Sequence, residues 1–172
     1  MYLILFLASA CCLTEGNLIA SYRLTETDLS KIPYQDGDTM PFKHSEGFEF
    51  DVILRQENSF FSNQEGCEDY YESEILSVFL ENEIPRLDIE LSLYKYSDQY
   101  AAEFSISSDF TGFAKDTSIE NQSLTINGIT FNNVETYVSL YDAYPISEIL
   151  YSSSNGILKL TYTDSTYVQI NP

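Results

Sequence analysis

The side chains able to do chemistry are unevenly supplied: 27 Asp and Glu, three Cys and a single His in 172 residues. His44 stands in Lys43-His44-Ser45-Glu46-Gly47, a polar stretch that reads as a surface turn. Ser-His-Asp and Cys-His arrangements need a histidine held beside a nucleophile, and a turn gives this one no such company. One His with Cys11, Cys12 and Cys67 does not make a common zinc site, because two of the thiols sit together near the N-terminus. Cys67 precedes Glu68-Asp69-Tyr70-Tyr71, and negative neighbours raise a thiol pKa, so it reads as buried or idle. There is no Gly-rich phosphate loop and no nucleophile elbow.

Carboxylates are the abundant reactive groups. A glycosidase needs two of them facing each other across a sugar cleft, and abundance alone does not supply that geometry. The run Glu65, Glu68, Asp69, Glu72 and Glu74 has the oxygen ligands Ca²⁺ prefers. It lacks the regular Asp/Asn spacing and central Gly of a calcium loop, and reads as a solvated acidic loop. The expectation is a chain without a catalytic residue, a metal or a cofactor.

The charge limits the partners. Eight Lys and Arg against the acids leave a formal charge of −19. Such a chain has no basic stripe for phosphates, which argues against nucleic acid. An anionic membrane surface would repel it, so residence on a membrane needs a covalent or apolar anchor.

The N-terminus offers one. Met1 to Leu13 carry no charge, and Tyr2-Leu3-Ile4-Leu5-Phe6-Leu7 is a compact apolar run followed by Ala8-Ser9-Ala10-Cys11. The run is too short for a spanning helix and reads as the apolar core of an export signal. Cys11 after Ser9-Ala10 resembles the lipobox of bacterial lipoproteins, whose cysteine accepts the lipid on its thiol. That resemblance implies an export signal over residues 1–10, lipid attachment at Cys11, a tether over 11–21 and one β domain over 22–172. The membrane is then a partner through the lipid.

The elements in that domain follow from composition and period. Fourteen Tyr and 11 Phe with no Trp favour a pleated, half-buried surface. Thr25 to Lys31 reads as one helical turn stopped by Pro33, and Asp36-Gly37 as a turn. Phe48, Phe50, Val52 and Leu54 share one face; so do Leu76, Val78 and Leu80; Leu87, Ile89, Leu91 and Leu93; and Ala102, Phe104 and Ile106. Apolar residues alternating with polar ones mark antiparallel strands packed on one side. Asn127-Gly128 and Asn155-Gly156 each read as the tip of a two-residue type I′ hairpin. Asn58 to Tyr71 is the longest polar stretch and reads as a loop. The fold class is all-β, an antiparallel meander forming a sandwich or an open barrel, with little helix.

Several blocks together resemble the small β-rich lipoproteins of Bacteroidota. They are Cys11-Cys12, Ile32-Pro33-Tyr34-Gln35-Asp36-Gly37-Asp38-Thr39, Asn127 to Val134, and Tyr151 to Lys159. The resemblance implies a fold and a location, the cell envelope on its periplasmic or surface side, and no active site. Asp38-Thr39-Met40 and Asp164-Ser165-Thr166 resemble the periplasmic O-glycosylation sites of such organisms, which makes Thr39 and Ser165 candidate acceptors. The function expected is a non-enzymatic accessory or interaction module, with another envelope protein or a glycan as partner. The rivals are a lipocalin-like carrier of a small apolar or sugar ligand and a carboxylate-based hydrolase.

Overall fold

The period-two segments become the strands of one sheet that curls until its ends meet. The computed structural model describes residues 16–63, 68–109, 111–119, 122–142 and 144–172. Strand accounts for 60% and helix for 3% of them. In chain order the elements are β1 (Leu18–Tyr22), α1 (Glu26–Leu29), β2 (Thr39–His44), β3 (Glu49–Ser62), β4 (Tyr70–Asn82) and β5 (Leu87–Tyr94). They continue with β6 (Glu103–Ser107), β7 (Gly112–Lys115), β8 (Gln122–Ile126), β9 (Ile129–Ser139), β10 (Ile146–Ser152), β11 (Gly156–Tyr162) and β12 (Tyr167–Ile170).

Strands β2 to β7 and β9 to β12 pair antiparallel with their neighbours in turn, and β12 then pairs with β2. Ten strands thus close a barrel, where the sequence left a sandwich or an open barrel as alternatives. The closing register sets Val168 against His44 and Ile170 against Phe42, and Asn171 N–H donates to the Pro41 carbonyl at 2.9 Å. Closure removes the edges that an open sheet leaves unpaired. The inward positions are those the alternation marked: Leu76, Val78, Leu80, Leu87, Ile89, Leu91 and Leu93 are all buried. Phe42, Leu54, Ile106, Ile149 and Leu160 complete the filling of the interior.

Two elements lie outside the barrel. Strand β8 pairs with the first half of β9, and its Gln122 Nε2 donates to Thr136 Oγ1 at 3.0 Å. Strand β1 runs parallel to the start of β4, Leu18 against Tyr70 and Tyr22 against Ser73. This corrects the tether expected over 11–21, because ordered sheet begins at Leu18 inside it. Cys11, Cys12, Cys67 and the segment read as an export signal lie outside the described residues.

Three further expectations change. Asn58 to Ser62 belong to β3 and pair with Leu76 to Glu72 of β4, so the expected loop is shorter. His44 is the last residue of β2 and is buried, its ring stacked on Phe48 with centroids 4.4 Å apart. It shares the inward parity of Met40 and Phe42, which the polar residues after it obscure. Asn127 (φ 51°) and Gly128 (φ 82°) do form the expected tip, with Ile126 paired to Ile129. Asn155-Gly156 does not. There Ser152 pairs with Gly156 across Ser153, Ser154 and Asn155, and Asn155 N–H donates to the Ser152 carbonyl.

The segment from Leu24 to Asp36 crosses one end of the barrel and plugs it. Thr25 caps α1 in a reciprocal box with Asp28, and Ile32 and Tyr34 are buried. Tyr34 rests directly on Gly156 and its hydroxyl accepts the Ile157 N–H at 2.5 Å. A Cβ at Gly156 would lie 1.7 Å from that hydroxyl, at a φ of +78°. One at Gly128 would meet nothing within 4 Å, at a φ of +82°. Gly128→Ala is therefore expected to cost about 1 kcal/mol of backbone strain, and Gly156→Ala about 2 kcal/mol more from overpacking. In a Tyr34→Ala background that excess should disappear. Denaturant melts of the four variants check this, and an unchanged excess would place the clash elsewhere.

Candidate functional site

Beside the plug the barrel wall opens. Strands β6 and β7 pair only through Ile106–Phe113 and Ser107–Gly112, so they part before Phe104 and Lys115. The gap leads into a recess of about 490 Å³ lined by residues of β6, β7, β9 and β10 and by Lys31. Its wall is aromatic. The rings of Phe104 and Tyr151 stack at 4.9 Å and 28°, and Tyr137 meets Phe104 edge-on at 6.0 Å and Tyr151 at 6.3 Å. Such offset and edge contacts fix ring orientation beyond what area burial alone would do.

The polar groups of the recess are tied to one another. Tyr137 Oη donates to Glu135 Oε2 at 2.8 Å, and Lys115 Nζ donates to Glu135 Oε1. Both oxygens of that carboxylate are thus engaged. The Tyr151 hydroxyl donates to the Lys31 carbonyl, and Lys31 Nζ donates to the Ala102 carbonyl at 2.6 Å. Burial raises the Tyr137 phenol well above its ordinary range, and the hydrogen bond to Glu135 raises it further by favouring the neutral form. Burial also raises Tyr151, with the neighbouring Tyr34 next in effect. The recess offers ring faces, a bound carboxylate and two ammonium groups. Apolar walls with a few fixed polar groups are the usual make-up of a small-molecule site.

A second cleft, about 580 Å³, lies at the opposite end of the barrel around the β4–β5 turn and Asp109. Burial raises the Asp88 carboxyl, and the Asp109 charge raises it further. Asp109 itself is exposed. Both carboxylates line this cleft, Asp88 partly buried and Asp109 on its solvent side. The described members of the acidic run are engaged separately. Glu74 is engaged by Leu24 N–H at 2.9 Å and Asn58 Nδ2 at 2.8 Å, while Asp69 accepts Asn17 N–H at 2.8 Å. Glu65 lies outside the described residues. Among the described residues no three His, Cys, Asp or Glu are grouped to hold a metal. Thr39 is exposed at the start of β2, and Ser165 is exposed at the tip of the β11–β12 turn with φ 71°.

Residue types alone did not single out the recess. The alternation puts Phe104 on a strand face, but Lys31, Lys115, Glu135, Tyr137 and Tyr151 come from distant parts of the chain. A period-two reading carried through β9 sets Glu135 beside Tyr137, since residues two apart share a face of a strand. Comparison of the chain with protein-family models, curated proteins and solved structures finds no match. The class defined is therefore architectural: a closed ten-strand antiparallel barrel with a plugged end and a lateral aromatic recess.

The buried tyrosines give the barrel a pH dependence. A phenol raised by folding adds stability that is complete below its unfolded pKa near 10 and is lost as pH rises through the folded value. Tyr34, Tyr137 and Tyr151 are all raised, and burial pushes Tyr162 up to about 12. Unfolding free energy should hold steady to about pH 10 and fall steeply above it, with the late-ionising tyrosines seen by ultraviolet absorbance only as the barrel opens. A titration in which all tyrosines ionise together near 10 while the fold stays intact would contradict this placement.

Proposed function

We propose that this protein is an exported, lipid-anchored binding module of the cell envelope, without a catalytic role, that takes a small ligand into the aromatic recess. The observation that carries the reading is the recess itself. Its 490 Å³ falls within the range of small-molecule sites, and its apolar walls carry a few fixed polar groups. A closed barrel is also compatible with a lipocalin-like carrier, and here the reading places the ligand in the lateral recess, beside the buried Phe42, Leu54, Leu91 and Ile149. The ligand class favoured is a compact molecule with a flat apolar face toward Phe104 and Tyr151 and a polar edge toward Lys115. Attachment through Cys11 would hold the acidic barrel on a membrane it could not approach by charge.

Two measurements test the two halves of this reading. The fluorescent probe N-phenyl-1-naphthylamine is expected to bind with a blue shift, and the absence of Trp keeps the signal clean. Phe104→Ala should weaken it about tenfold, roughly the loss of one buried ring contact. Probe binding that ignores Phe104→Ala would reject the recess. In cell fractionation, Cys11→Ser should move the protein from the membrane to the soluble fraction. A variant that still sediments, together with no incorporation of labelled fatty acid into the native protein, would reject the anchor.

A further inference from the structure

A second aromatic cluster lies on the outer face of the sheet, away from the recess. The long β3–β4 hairpin, with β1 added beside it, runs on past the point where β5 ends. Tyr22, Phe61, Tyr71, Tyr94 and Tyr96 line a groove of about 380 Å³ there, floored by the buried Ser73. Ring contacts tie the groove together. Tyr22 and Tyr71 lie nearly parallel at 5.8 Å, Phe61 and Tyr94 meet at 6.3 Å, and Tyr94 and Tyr96 meet edge-on at 4.0 Å. Phe61, Tyr71 and Tyr96 remain largely exposed, at 52%, 37% and 56%.

Charge decides what such a groove attracts. The two cations nearest in sequence both turn to the other face: Arg23 lies over the Phe60 ring at 3.9 Å, and Lys95 Nζ pairs with Asp28 at 3.3 Å. Among the described residues no Lys or Arg lines the groove. Glu103 faces Tyr94 across the β5–β6 ladder, and its carboxylate accepts the Tyr96 hydroxyl, which enriches that ring in electrons. The chain as a whole carries −19. Ring faces combined with a negative field favour a weakly hydrated cation over an anion or a neutral molecule. The Asn63 amide oxygen is already taken by the Tyr71 N–H at 2.7 Å, so that acceptor is not open to a polyhydroxylated ligand.

We propose that this groove is an aromatic cage for a free quaternary or polyalkylated ammonium ion. The occupant is a small soluble cation rather than a lipid head group, because a head group carries a phosphate beside its ammonium and no Lys or Arg among the described residues lines the groove to meet it. The site stands apart from the recess and does not depend on the reading given to it.

The test titrates the purified protein with choline and tetramethylammonium, followed by calorimetry and by the NMR shifts of the tyrosine rings. The neutral twin of choline, 3,3-dimethylbutan-1-ol, serves as the control for apolar contact. Choline is expected to bind about tenfold more tightly than the twin, in line with a desolvated cation–ring interaction. Its shifts should concentrate on Tyr22, Tyr71, Tyr94 and Tyr96. Tyr96→Leu, an exposed position whose replacement keeps apolar bulk, should abolish most of the preference, and Tyr71→Leu should do the same. Equal binding of the twin, shifts confined to the recess, binding of cellotetraose in place of choline, or binding of phosphatidylcholine vesicles without free choline would each overturn the proposal.

Discussion

The structure turns on one buried carboxylate. Asp28 is 4% exposed and accepts four hydrogen bonds: Thr25 N–H at 3.0 Å, Thr25 Oγ1 at 2.8 Å, Ala102 N–H at 3.0 Å and Lys95 Nζ at 3.3 Å. Burial pushes its pKa up, and the Thr25 and Ala102 amides with the Thr25 hydroxyl and Lys95 outweigh that, holding it well below the usual carboxylate range. A helix of four residues has no stability of its own. The box with Thr25 gives it an N-terminus, and the bonds to Ala102 and Lys95 fasten that turn to the end of the barrel. Such a charge is tolerated inside only because its oxygens are fully engaged, and losing its partners would leave an expensive buried ion.

What Asp28 fastens is what the barrel requires. Eight strands leave an interior just wide enough for side chains, and ten leave a wider mouth to be filled. Large inward residues fill the middle, and the 24–36 segment covers one end with Leu24, Ile32 and Tyr34. The same segment shapes the recess. Lys31 follows α1 by two residues, and its carbonyl takes the Tyr151 hydroxyl whose ring forms the recess wall. A shift of the plug would therefore reach the ligand wall through Lys31 and Tyr151 without any change in the sheet.

Local regularity was legible in the sequence, and long-range placement was not. Leu87 to Leu93 and Leu76 to Leu80 announced their inward faces, because a strand with one buried side must alternate. Asn127-Gly128 announced its turn, because two positive φ angles admit few other pairs. Asn155-Gly156 has the same letters, yet the weak strand before it, Ser152-Ser153-Ser154, lets the loop lengthen by one residue under Tyr34. The pairing of β12 with β2 joins residues more than 120 apart, and nothing local distinguishes such closure from an open edge. Strand β1 reads as tether because its partner lies some 50 residues on. The Asp28–Lys95 pair spans 67 residues and hides among 27 acids. The recess draws on five separate segments and was legible only as aromatic content.

Hydrogen exchange on an Asp28→Ala variant tests the role given to this carboxylate most directly. Loss of the acceptor should free the 24–36 segment by local opening, so its amides lose most of their protection while those of β4, β5 and β11 keep theirs. The Ile157 amide, bonded to Tyr34, should report the same release. A variant whose 24–36 amides exchange as slowly as those of the native protein would contradict the account. So would one in which protection falls evenly throughout the barrel, since Asp28 would then support the whole sheet and not its plug.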